Sequence, residues 1–166
     1  MFNFVNCGNN NNEVIIMQLT EKEKSLLKDL KGEEELCITK YTEYASRAKD
    51  PQLRDLFDSM KKTEQQHYET ITQIENGTYT PSSGGCSSPK NNFTATYTGE
   101  TEDKKNDAFL CTDMLSQEKH VSGVYNTAIF ELKDKNYREA LNHIQKEEQQ
   151  HGEEIYNYMN TNSMYN

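Results

Sequence analysis

The stretch Leu53–Ile74, LRDLFDSMKKTEQQHYETITQI, has a counterpart 84 residues further on, Tyr137–Tyr158, YREALNHIQKEEQQHGEEIYNY. In the first, the apolar residues fall at Leu53, Phe57, Met60, Ile71 and Ile74; in the second, at Tyr137, Leu141, Ile144, Ile155 and Tyr158. Steps alternating between three and four mark the buried seam of a helix in a bundle. Both stretches interrupt that seam with the same letters, EQQH, placing Glu64 and His67 on one seam and Glu148 and His151 on the other. The same offset pairs Asp29 with Asp113, Glu34 with Glu118, Tyr41 with Tyr125 and Arg54 with Arg138. The chain is therefore read as two helical hairpins of one design.

The partner helices follow outward from these two. Thr20 with Glu23 forms a capping-box pattern that opens a first helix reaching Lys49, where Asp50-Pro51 interrupts it. Its seam is Leu27, Leu30, Glu34, Cys37, Tyr41 and Ala48, which selects Glu34 from the Glu33–Glu35 run and turns its neighbours about 100° to either side. Pro51 suits the first turn of a second helix ending before Asn76-Gly77. A third is expected over 106–133, with a seam of Cys111, Met114, Glu118, Val121, Tyr125, Ala128 and Leu132, and a fourth over 136–159. Between them, residues 76–105 carry Pro81, Gly84, Gly85, Pro89 and Gly99 and read as loop. So long a loop needs a reason. If the hairpins pair across a pseudo-two-fold, the second and third helices are parallel, and the connection must run the bundle's length, roughly 35–40 Å.

The expected architecture is all-α: an antiparallel four-helix bundle with a long crossover from the second helix to the third. Residues 1–18, with four Asn in a row at 9–12, are expected to form a flexible Asn-rich arm. The bundle takes 19–160, divided into hairpin one (19–75), crossover (76–105) and hairpin two (106–160), with 161–166 as a tail.

Composition narrows the function. The 166 residues carry 27 acidic against 18 basic side chains, a net charge of −9, and the mean hydropathy is −1.00. No basic stripe is available to neutralise phosphates, so nucleic acid is not an expected partner; cations are. No apolar run is long enough for a membrane span, and no basic residue precedes Lys22 to form a signal-peptide start, so synthesis and use without Sec export are expected. The four cysteines contain no Cys-x-x-Cys pair. Ten Tyr and six Met supplement a thin aliphatic complement in the core.

Four carboxylates buried without cations would cost many kcal/mol or force several to protonate. One Glu from each of two helices and Glu-x-x-His from each of the other two is a ligand set for a dinuclear centre, with carboxylates bridging the ions. Oxygen donors with one imidazole per ion suit iron or manganese. Glu34, Glu64, His67, Glu118, Glu148 and His151 are the expected ligands of two divalent metal ions, Fe or Mn, roughly 3–4 Å apart.

The strings DPQLRDLF and EQQH in the first half, and FLCTDMLSQEKHVSGVYNTAIFE and LNHIQKEEQQHGEEIYNYM in the second, resemble the spore coat protein F family of endospore-forming Firmicutes. The resemblance spans about Thr20 to Met159. It implies a ferritin-like bundle, synthesis in the mother-cell cytoplasm and deposition in the spore coat among other coat proteins. More loosely it implies kinship with rubrerythrins and manganese catalases, whose ligands match the six residues above, although the rubredoxin iron site of rubrerythrin is lacking here.

Two functions follow from different classes. One is a di-iron or di-manganese oxidoreductase of peroxidase or catalase type acting on peroxide or O₂, with Tyr41 and Tyr125 as candidate catalytic residues that hydrogen-bond a ligand carboxylate or relay an electron. The other is a structural coat component whose metal site is stabilising or vestigial, and in which those tyrosines are core packing. Iron storage is a weaker third, and a homo-oligomer is compatible with all of them. Asp29 and Asp113 are weighed as partners of the imidazole N–H groups but read as solvated. His120 and His143 lack mates in the repeat and are excluded as ligands. Cys37 and Cys111 read as small apolar core residues, and Cys7 and Cys86 as thiols in flexible segments able to bridge between molecules. Removing Glu64 or Glu148 is expected to leave the metal-free bundle standing.

Overall fold

The computed structural model describes residues 18–81 and 91–165. The expected arm up to residue 17, Cys7 and Cys86 lie outside the described residues. Among the described residues four helices follow in order: α1 (Glu21–Arg47), α2 (Pro51–Glu75), α3 (Glu102–Glu131) and α4 (Lys135–Thr161). No helix among them is long and apolar enough to cross a membrane.

Each helix starts at a residue that satisfies its free backbone N–H groups. Thr20 and Glu23 form the reciprocal capping box of α1, with Thr20 N donating to Glu23 Oε2 at 2.7 Å and Glu23 N to Thr20 Oγ1 at 3.2 Å. Asp50 caps α2 ahead of Pro51, and Asp134 caps α4 by accepting from Asn136 N and Tyr137 N. Helix α2 ends at Asn76 and Gly77, whose φ of 66° is open to glycine at little cost. Helix α3 begins four residues before the expected start. Thr101 caps it, and Glu102 and Asp103 place negative charge in its first turn, where the helix dipole favours it. The crossover is correspondingly shorter than expected, and α4 runs on into the expected tail.

Helices α1 and α2 pack as one hairpin, α3 and α4 as another, and the hairpins join through α1 against α3 and α2 against α4. The expected seams are buried along their length, apart from Tyr137, which is half-buried. Contacts fix the sense of the pairing. Lys49 N at the end of α1 meets Asp107 near the start of α3, and Asp50 at the start of α2 accepts from Tyr158 Oη near the end of α4 at 2.9 Å. Neighbouring helices are thus antiparallel and α2 runs parallel to α3, so the crossover travels from one end of the bundle to the other. Its second part is pinned there: Thr94 and Thr96 to Gln52 and Asp50, Tyr97 Oη to Asp107, and Phe93 edge-on to Tyr158.

Hydrogen bonds at both ends repeat with the offset of 84. Glu23 accepts from Lys133 N at 2.9 Å, and Asp107 accepts from Lys49 N at 2.9 Å. The Arg54 guanidinium donates to Ala48 O, and that of Arg138 to Leu132 O.

Candidate metal centre

Midway along the bundle the apolar seams give way to Glu34 of α1, Glu64 and His67 of α2, Glu118 of α3, and Glu148 and His151 of α4. None is more than 7% exposed. Every sequence-predicted ligand is in the cluster. Their donor atoms form two groups, Glu34–Glu64–His67–Glu148 and Glu64–Glu118–Glu148–His151, each within 4.8 Å. Glu64 and Glu148 belong to both groups, the position a bridging carboxylate requires. His67 Nδ1 lies 2.9 Å from Glu148 Oε1, 3.2 Å from Glu64 Oε2 and 3.6 Å from Glu34 Oε2. His151 Nδ1 lies 2.9 Å from Glu64 Oε1, 3.6 Å from Glu118 Oε2 and 4.0 Å from Glu148 Oε2. Each imidazole is thus nearer the glutamate of the facing helix than the one three residues before it. The two rings stack with centroids 6.0 Å apart.

Without a cation the cluster must divide protons among its members. Burial raises Glu34 to about 8. Burial and the neighbouring Glu64 charge push Glu148 well above the usual carboxylate range. Burial also works against Glu64, but the adjacent imidazoles of His151 and His67 outweigh it and hold this carboxyl low. Burial opposes charging the imidazoles too, yet the carboxylates around them raise both His67 and His151 well above the ordinary histidine value. Even so, Glu34 Oε2, Glu64 Oε1, Glu118 Oε2, both oxygens of Glu148 and His151 Nδ1 have no directed hydrogen bond. Buried polar atoms are normally satisfied. These six point at one another, and a pair of dications fits them.

The surroundings orient the donors. Tyr41 Oη donates to Glu118 Oε1 and Tyr125 Oη to Glu34 Oε1, each crossing between α1 and α3. Each phenol occupies one carboxylate oxygen and leaves the other, Oε2, facing the cluster. The tyrosines are therefore core residues and hydrogen-bond donors at once, and burial with the neighbouring carboxylates raises both phenols well above their usual range.

Behind His67, Glu147 Oε2 lies 3.0 Å from Nε2. Burial raises this carboxyl, but the bond to His67 prevails and keeps it below its ordinary value. Glu147 takes the role weighed for Asp29 and Asp113. Asp29 is exposed, and Asp113 pairs with Lys40 at 2.5 Å and Tyr44 Oη at 2.8 Å. Sequence reasoning missed Glu147 because its mate at the offset is Thr63, so the repeat gives no signal there. His120 and His143 are exposed, and His143 Nε2 stands 3.6 Å from Glu147. Cys37 and Cys111 are buried free thiols pushed far above their usual range by burial.

No curated protein and no solved structure matches this chain. A family match is found in the second hairpin: residues 106–166, which comprise nearly all of α3, the turn after it and α4, match the Coat F domain. That hairpin supplies Glu118, Glu148 and His151 to the cluster and Tyr125 to its edge, and over these residues the chain is similar to the Coat F domain.

Proposed function

We propose that the cluster binds two divalent cations, iron or manganese, and that the loaded protein works in the spore coat as a small-molecule redox protein whose oxidant is hydrogen peroxide or O₂. One observation carries this reading: two four-donor groups share Glu64 and Glu148, and their inward atoms have no other directed partner. A purely structural bundle would gain stability from apolar residues at these six places. Three carboxylates and one imidazole in each group form a hard donor set that favours iron or manganese. Tyr41 and Tyr125 hold Glu118 and Glu34 with one oxygen free, and Glu147 holds His67 by Nε2 so that Nδ1 faces the cluster. When bound, a pair of such ions supplies two electrons that, with two protons, convert one hydrogen peroxide to two waters, and recovers them from a second peroxide or an external donor. The coat location rests on the Coat F match, which also supports other coat proteins as partners.

The test is metal analysis and peroxide consumption on the same preparations. Wild type loaded with Fe²⁺ or Mn²⁺ is expected to hold two ions per chain and to consume peroxide faster than free metal. Glu64→Ala and Glu148→Ala are expected to lose both properties. Binding without turnover above free metal would leave the second reading, a structural coat component stabilised by its ions, which the Coat F match supports equally.

A further inference from the structure

The cluster obeys the offset of 84, but its surroundings do not. In the second half EQQH is followed by Gly152, in the first by Tyr68. Between α3 and α4 there is a groove of about 350 Å³ lined by Leu115, Lys119, Ser122 and Gly152, which reaches the buried carboxylates Glu118 and Glu148. Glycine keeps it open: a Cβ at 152 would lie 3.6 Å from Leu115 Cδ1, and anything longer would occupy the groove. The positions that correspond on α1 and α2 are Lys31, Glu35, Ile38 and Tyr68. There the Tyr68 ring takes the place of the missing side chain, with the Lys31 ammonium 5.6 Å from its centre and itself paired to Glu75 at 2.5 Å.

We propose that this groove is the passage by which small uncharged molecules of the size of hydrogen peroxide reach the centre, and that Gly152 holds it open. The lining selects for charge. A hydrated cation would shed water against Leu115 with the Lys119 ammonium alongside, and an anion would meet Glu118 and Glu148. A small neutral molecule pays neither cost. Another cavity touching a cluster residue, about 380 Å³ beside His67, is lined by Glu139, Glu147 and His143, and Glu147 stands between it and His67 Nε2.

This inference rests on the proposed metal centre, and its test reads the two separately. Fe²⁺ retained by anaerobically loaded wild type, Gly152→Tyr and Ser122→Leu is measured first. Nitric oxide, a small uncharged probe, is then mixed with each in a stopped-flow spectrometer and the optical change is timed. Gly152→Tyr copies position 68, and Ser122→Leu fills the groove from the α3 wall should the tyrosine variant not fold. The expected result is wild-type Fe²⁺ content in the folded variant with probe association slowed at least tenfold. Association at the wild-type rate in a folded, loaded variant overturns the passage while leaving the centre intact. Wild type that retains no Fe²⁺ overturns the centre and the passage with it.

Discussion

Glu64 is the carboxylate on which both imidazoles converge, at 2.9 Å from His151 and 3.2 Å from His67, whereas Glu148 has one imidazole at 2.9 Å and the other at 4.0 Å. That difference breaks the equivalence the sequence suggests. In the metal-free state the two histidines favour charge on Glu64, while burial and the Glu64 charge disfavour it on Glu148. Removing one member of a buried ion pair strands the other, at a cost of about 3–5 kcal/mol. Removing Glu148, whose charge burial and Glu64 oppose, gives up its contact with His67 but strands less charge. Metal-free Glu64→Ala is therefore expected to lose about 3 kcal/mol in urea unfolding, and Glu148→Ala at least ~1 kcal/mol less. Equal losses would mean that the two carboxylates share the charge evenly. The six residues of the cluster were legible because they fall on the apolar seams, which single out Glu34 from the Glu33–Glu35 run, and because they recur at the offset of 84. The inequality of Glu64 and Glu148 was not, since it depends on differences of about an ångström between facing helices.

At the scale of elements, two carboxylates tie each helix start to the far hairpin's turn. Glu23 of α1 accepts from Lys133 N beside its own capping box, and Asp107 of α3 accepts from Lys49 N, Asp50 N, Asn106 Nδ2 and Tyr97 Oη. The pair share the offset of 84, so a signal was present in the sequence. It went unread because α3 was expected to begin at 106, which put Asp107 in a first turn rather than on the seam. The docking of residues 93–97 had no signal, because it depends on which side chains the bundle's end presents. Asp107 is fully buried, and its loss leaves two backbone N–H groups and a phenol without their acceptor. Asp107→Ala is expected to cost about 3 kcal/mol or more, and Glu23→Ala about 1–2 kcal/mol, in thermal melts. Glu23 also sets an acid limb. Burial raises this carboxyl, but bonds from Lys133 and Thr20 outweigh it and hold it below 4.5. Its contribution is thus complete above about pH 4.5 and fades as pH falls through the lower folded value. Glu23→Gln should flatten that part of the stability curve, and an unchanged acid limb would show that the bonds to Glu23 carry no charge-dependent stability.

For the whole molecule, the cluster makes the fold's pH dependence a reading of its own occupancy. Without metal, the folded chain binds more protons than the unfolded one wherever a group's value is raised. For Glu34, raised to about 8, and for Glu148, that begins near pH 4.5; for His67 and His151 it begins near 6.5. The slope of unfolding free energy with pH has the sign of protons bound unfolded minus protons bound folded. Here that sign is negative, so metal-free stability should fall as pH rises from about 5 through 8 and beyond. Glu64, held low, acts in the opposite sense only below about pH 4.5. Two dications bound as proposed would replace those protons and bind the unfolded chain poorly, so loading should raise the melting temperature by mass action and remove the decline. Melting chelator-treated and Mn²⁺-loaded protein at pH 5.5, 7 and 8.5 checks this. The gap between the two curves should widen with pH, and a pH indicator should register proton release on loading at pH 7. Parallel curves would mean that the ions bind outside the cluster, because only cations seated within it can take the place of the protons favoured on Glu34, Glu148, His67 and His151.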